Sequence, residues 1–116
     1  MIAGNLVLVV VPDSTFRRSL EFALETEGFD VLSHTTVRHA FSSGTAREAA
    51  CAVIDDSAIQ DWHVAATQFG NFARPVVLLV GPFRAVPAMQ GVSIVPKPFL
   101  GAPLVDAVRL AADGRA

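Results

Sequence analysis

Three stretches of the chain show no alternation of apolar and polar residues: LVLVVV at 6–11, CAVID at 51–55 and PVVLLV at 75–80. A strand with one wet face alternates with period two, whereas a strand apolar on both faces must be covered on both. Runs this short, rich in valine and bounded by proline, aspartate or glycine, are strands rather than helices. This feature restricts the chain to a sheet held between two helical layers. Such a sheet is parallel, and its strands are joined by right-handed helical crossovers.

The intervening segments supply the crossovers. Asp13 or Ser14 can cap a helix in which Phe16, Leu20, Ala23 and Leu24 recur at helical spacing, and Gly28 is placed to end it. FDVLSH at 29–34 predicts a short second strand, and residues 35–50 a weaker helix interrupted at Ser42, Ser43 and Gly44. Residues 57–70 predict a loop and a third helix closed by Gly70. VSIV at 92–95 predicts a fifth strand. The last helix falls within 101–114, with Pro103 in its first turn and Leu104, Ala107, Val108 and Ala111 turned inward. Between Gly81 and Lys97 the chain is too short for a full helix, and PFRAVPAMQG holds two prolines and no helical period. Residues 1–116 form one domain, large enough for a single core.

Composition excludes several function classes. The net charge of −2 leaves no electrostatic footprint for nucleic acid or an anionic membrane surface. No apolar run approaches the length of a bilayer span, and the N-terminus lacks the order of a signal peptide. The single cysteine, Cys51, excludes an internal disulfide and fits a reducing, cytoplasmic setting. It lies within an apolar run and reads as a buried, inert thiol. His34, His39 and His63 are dispersed without metal-ligand spacing, and Trp62 reads as a packing residue. Gly81 and Gly91 bracket a loop and form no phosphate-cradling motif. With no nucleophile-elbow pattern either, no enzymatic activity is expected.

In a parallel α/β sheet the site lies beyond the carboxyl ends of the strands. Those ends are Val11-Pro12-Asp13, His34, Asp55-Asp56, Val80-Gly81 and Pro96-Lys97-Pro98. Asp13, Asp55 and Lys97 bring charge there, and Asp56 stands beside Asp55. The tip of the first strand, Val11-Pro12, has no functional group to offer.

LVVVPDSTFRRSLEFALETEGFDV, CAVIDD, PVVLLVG and VPKPF, in this order, resemble the receiver domain of bacterial two-component response regulators, over nearly the whole chain. The resemblance implies a flavodoxin-like (CheY-like) three-layer α/β/α sandwich. Its five-stranded parallel sheet would have order 2-1-3-4-5, with the fourth helix short or missing. It puts Asp55 at the phosphoacceptor position and Lys97 at the family's lysine, followed by a cis peptide before Pro98. It also exposes departures. The family's acidic pair for Mg²⁺ falls on Val11 and Pro12, neither of which has a side-chain oxygen for such an ion. The family's Thr or Ser at the end of the fourth strand falls on Val80, and its switch aromatic on Ile94.

The expectation is therefore an atypical receiver, without cofactor or metal, that acts as a protein-interaction module in phosphorelay signalling. Asp55 and Lys97 would form a one-to-one pair, with Asp13, Asp56 and Val80 lining the site and Asp56 read as a solvated loop carboxylate. The partners implied are a histidine kinase, an output domain or protein, or a second copy of the chain. Two other readings stand beside it: a conventional receiver phosphorylated on Asp55, and a small-ligand binder using the pocket below residues 81–90.

Overall fold

The computed structural model describes residues 5–82, 84–97 and 102–113. Five parallel strands, β1 (Leu6–Val10), β2 (Asp30–His34), β3 (Cys51–Asp55), β4 (Val76–Val80) and β5 (Val92–Pro96), form one sheet in the order 2-1-3-4-5. Helices α1 (Ser14–Thr26), α2 (Val37–Ser42), α3 (Trp62–Phe72) and α4 (Ala102–Ala112) lie between and after them. Short 3-10 turns occupy Ala46–Glu48 and Asp56–Ala58. The expected sandwich and strand order are what the chain adopts. The peptide before Pro98 lies outside the described residues.

The uniform apolar runs divide by parity into two cores. Val7, Val9, Val11, Cys51, Val53, Val77 and Leu79 pack with Leu20 and Leu24 of α1 and Leu104 and Val108 of α4. Leu8, Val10, Ala52, Ile54, Val76, Leu78 and Val80 pack with Val37 and Ala40 of α2 and Ala65 and Phe69 of α3. Alternation is present in direction but not in polarity, because both faces are covered. Cys51 is fully buried in the middle strand, and burial pushes its thiol up to about 12.

Among the described residues no helix joins β4 to β5. In the described residues between Gly81 and Gly91, Val86 and Met89 pack onto the α2/α3 core. Pro82 and Pro87 supply no amide hydrogen for a helical ladder there. Asp13, rather than Ser14, caps α1, its carboxylate accepting from the Phe16 amide at 3.1 Å. As expected from the Ser42–Gly44 interruption, α2 stops at Ser42.

One boundary differs from the sequence reading. Helix α3 does not close at Gly70; it continues to Phe72, and Ala73 takes the left-handed conformation (φ 61°). Helical packing of Phe69 and Phe72 on the core outweighs the low propensity of one exposed glycine, and Pro75 follows the stop. The two residues are therefore each in the other's preferred place. A Cβ on Gly70 meets nothing within 4 Å. Gly70→Ala is expected to stabilise the fold by about 1 kcal/mol. Ala73→Gly should add about 0.5–1 kcal/mol by relieving the left-handed strain. Thermal unfolding of the single and double variants checks both, and a loss in either would mean that the local backbone is not held as described.

Candidate functional site

Each site residue is carried to one end of the sheet by the last residue of its strand. Asp55 ends β3 and continues the row of Cys51 and Val53, while Lys97 follows β5 and continues the row of Val95. The Lys97 amide donates to the Val80 carbonyl at 2.7 Å, which extends the β4–β5 pairing by one rung and fixes where its side chain starts. From there Lys97 Nζ reaches Asp55 Oδ1 at 2.8 Å and Asp56 Oδ1 at 2.9 Å.

Asp56 lines the site but is not solvated: it is only 3% exposed, as is Asp55. The 3-10 turn at Asp56–Ala58 bends the chain directly after β3 and turns the Asp56 carboxylate toward the end of β4. There Oδ2 accepts from the Gly81 amide at 3.0 Å and lies 3.7 Å from Arg84 Nε. The one-to-one pair is thus corrected to a cluster of two carboxylates and two cations, whose formal charges sum to zero. Burial opposes ionisation of Asp56, but the Gly81 amide, Lys97 and Arg84 outweigh it and hold its carboxyl below the usual range. Burial likewise opposes the Lys97 charge, and the two carboxylates overcome it, so its pKa is raised.

Asp55 is held equally closely. Its Oδ2 accepts from the Ser57 amide at 3.2 Å and from the Ser57 hydroxyl, so both oxygens are engaged. Lys97 also lies over the Phe16 ring, 6.0 Å from its centroid.

The remaining site positions lie outside this network. Val11 is fully buried in the α1/α4 core, and Pro12 is exposed. The Arg17 guanidinium closes the tip of β1, donating to the Val11 carbonyl at 2.8 Å and the Pro12 carbonyl at 3.3 Å. Asp13 is exposed and committed to capping α1, so its described hydrogen bond ties it to the helix and not to Asp55. Val80 is packed in the α2/α3 core. His34, at the end of β2, has a buried Nε2 without a hydrogen-bond partner among the described residues; burial first, and His39 second, lower its pKa.

Ser57, Gly81, Arg84 and Arg17 were not among the residues singled out from sequence for the site. Ser57 had a legible signal, since a serine two residues after an aspartate favours a local side-chain turn. Arg84 had a weaker one: it is the cation of a loop too short to carry it far from Gly81. The Gly81 amide had none, because any residue supplies an amide.

The sign of the pH dependence follows from the Asp56 shift. A carboxyl whose native pKa lies below its ordinary value, 3.8, contributes stability above that value and loses it as pH falls through the native value. Asp56→Asn retains an acceptor for the Gly81 amide but not the charge. It is expected to cost about 1–2 kcal/mol at neutral pH and to flatten the acid limb of the stability curve. Urea unfolding between neutral pH and strongly acidic pH checks this; an unchanged acid limb would show that the pairing is not electrostatic.

No family model matches the sequence. Among curated proteins, the chain is 36% identical over 109 residues to the transcriptional regulator protein FixT of Rhizobium meliloti (strain 1021), covering 93% of each chain. Among solved structures, a response regulator receiver domain protein from Clostridium thermocellum superposes with a TM-score of 0.77 at 16% identity, covering 95% of both chains. A response regulator receiver protein from Sinorhizobium medicae WSM419 gives 0.75 at 21% identity, covering 96% of both. The solved structures show that the fold is that of response-regulator receiver domains, and the relative carries the kinship in sequence over almost its whole length: the chain belongs to the same family as FixT.

Proposed function

We propose that this chain is an atypical receiver that regulates by protein contact, without Mg²⁺-dependent phosphorylation. The observation that carries the reading is the closed charge cluster beside a tip with no acidic pair. Phosphoryl transfer needs cations to absorb charge on the transferring oxygens, and receivers use Mg²⁺ for this. The donor set here does not fit such an ion. Val11 and Pro12 offer no side-chain oxygen, and the Arg17 guanidinium occupies their carbonyls. Both oxygens of Asp55 are engaged by Lys97 and Ser57, and Asp56 adds a second negative charge beside the position a phosphoryl group would take. Lys97 and Arg84 do for the two carboxylates what a divalent ion does in a site crowded with acids.

The arrangement holds one fixed conformation and leaves the helical faces as the working surfaces. The partners that fit are those of a receiver: a histidine kinase, an output protein, or a second copy. A role in transcriptional regulation, which the name of the R. meliloti relative gives to that protein, would be exercised here through such a partner and not by contact with DNA.

Incubation of the chain with Mg²⁺ and acetyl phosphate, followed by intact mass measurement, tests the reading. The expected result is an unchanged mass. A gain of one phosphoryl group that is lost in Asp55→Asn would establish the conventional receiver in its place.

A further inference from the structure

Helices α2 and α3 are separated by a trench that the proposed function does not use. Its upper part, about 870 Å³, begins at Pro12 and Ser57 beside the charge cluster, and its lower part is about 350 Å³. Arg38, Ser42 and Gln68 line both, so the two parts are continuous. Aliphatic side chains, among them the exposed Val64, line the upper part; Phe41 and Phe72 line the lower, their rings stacked with centroids 4.6 Å apart.

The charge of this trench is one-sided. Arg38 and Arg47 line it, and both are exposed. Among the described residues the salt bridges engage Arg84, Lys97 and Arg109, so neither of these two arginines has a carboxylate partner. The one carboxylate in the lining, Asp61, is already taken up as the N-cap of α3, accepting from the His63 and Val64 amides. The cleft between α1 and α4 is the opposite case: its single cation, Arg109, is paired to Glu27 at 2.6 Å, and Asp106 lies beside them. Unpaired guanidinium groups flanking aromatic and aliphatic surface match carboxylates flanking an apolar side chain.

We infer that the α2/α3 trench is a docking site for a short extended segment of a partner protein, in which acidic residues alternate with aromatic or aliphatic ones. The eleven residues of α3 run for about 16 Å at 1.5 Å per residue, which about five extended residues match at 3.3 Å each. Acidic side chains of the segment meet Arg38 and Arg47, and an apolar one lies against Phe41 and Phe72.

The test uses the intact, isotope-labelled chain and two fluorescein-tagged pentapeptides, one alternating glutamate with phenylalanine and the other lysine with phenylalanine. The glutamate peptide is expected to bind saturably, with amide shifts centred on Arg38, Phe41, Arg47, Gln68 and Phe72, while the lysine peptide does not. Both arginines are exposed, so the double variant Arg38→Glu, Arg47→Glu should fold, which circular dichroism verifies. It should bind the glutamate peptide about tenfold more weakly, roughly 1.4 kcal/mol, and gain affinity for the lysine peptide. Equal affinity of the parent for both peptides overturns the assignment. So do shifts confined to the α1/α4 face, no binding at all, or tighter binding of a single-stranded oligonucleotide or of a second copy in sedimentation. None of these outcomes bears on whether Asp55 accepts phosphate, so the two readings stand or fall separately.

Discussion

Replacing Lys97 with methionine is expected to cost about 3–5 kcal/mol at neutral pH, the usual penalty for removing one partner from a buried ionic group. The methionine keeps the apolar stem over Phe16 but leaves two carboxylates, each 3% exposed, side by side. Ser57 still holds Asp55, and Gly81 and Arg84 still hold Asp56, so the damage falls on the facing oxygens that Lys97 had bridged. Like charges so placed favour uptake of a proton by the cluster. A carboxyl raised in the native state is destabilising where it must ionise, and that penalty disappears as pH falls below the unfolded value near 3.9. The deficit relative to the parent should therefore be greatest at neutral pH and shrink on acidification. Adding Asp56→Asn should recover part of it. Urea unfolding across the pH range decides the matter: a small deficit that does not vary with pH would mean that the cluster is screened by solvent and holds nothing together.

The second large effect concerns the tip of β1. Val11→Asp with Pro12→Asp puts an acidic pair next to Asp55, on a backbone whose Val11 amide still bonds the His34 carbonyl at 3.1 Å. Val11 is fully buried, so the new carboxylate enters a core position, and the double variant should lose about 2–4 kcal/mol without metal. Millimolar Mg²⁺ should return a good part of that loss by ordinary linkage, about 2.7 kcal/mol at a hundredfold excess over the dissociation constant. The parent should not respond to the same titration. Phosphorylation of Asp55 should rise from nothing but stay weak, since Asp56 and its partners still crowd the acceptor. Thermal unfolding with and without Mg²⁺ reads the first part and intact mass the second. If the variant gains neither, the site has been remodelled in its backbone as well as its side chains.

The sheet was legible because its signal is collective. Runs such as LVLVVV and PVVLLV can be satisfied only by cover on both faces, and no single residue has to be read correctly for that to hold. The lack of a side-chain oxygen at Val11 and Pro12 was equally plain, since residue type alone decides it. The cluster was only half legible. Lys97 and Asp55 were placed by their strands, but Asp56 was misplaced, because the turn that carries it inward depends on an amide of Gly81 contributed from another strand. Long-range backbone partners leave no mark on the residue that supplies them. Gly70 misled for a related reason: its local preference to stop a helix is worth about 1 kcal/mol, less than the packing of Phe69 and Phe72 on either side.

The burial of Cys51 makes this fold its own stopwatch. The chain has a single thiol, it sits on the central strand between both cores, and its pKa of about 12 leaves almost no thiolate at neutral pH. An alkylating reagent can reach it only when β3 separates from its neighbours, an opening that takes the whole sheet with it. When reclosing outpaces labelling, the labelling rate counts the equilibrium population of open molecules. Each substitution at Lys97, Asp56 or Val11 can then be ranked by a mass spectrum taken under native conditions, without denaturant. A partner seated on one helical face would register in the same measurement as a slowing of the clock.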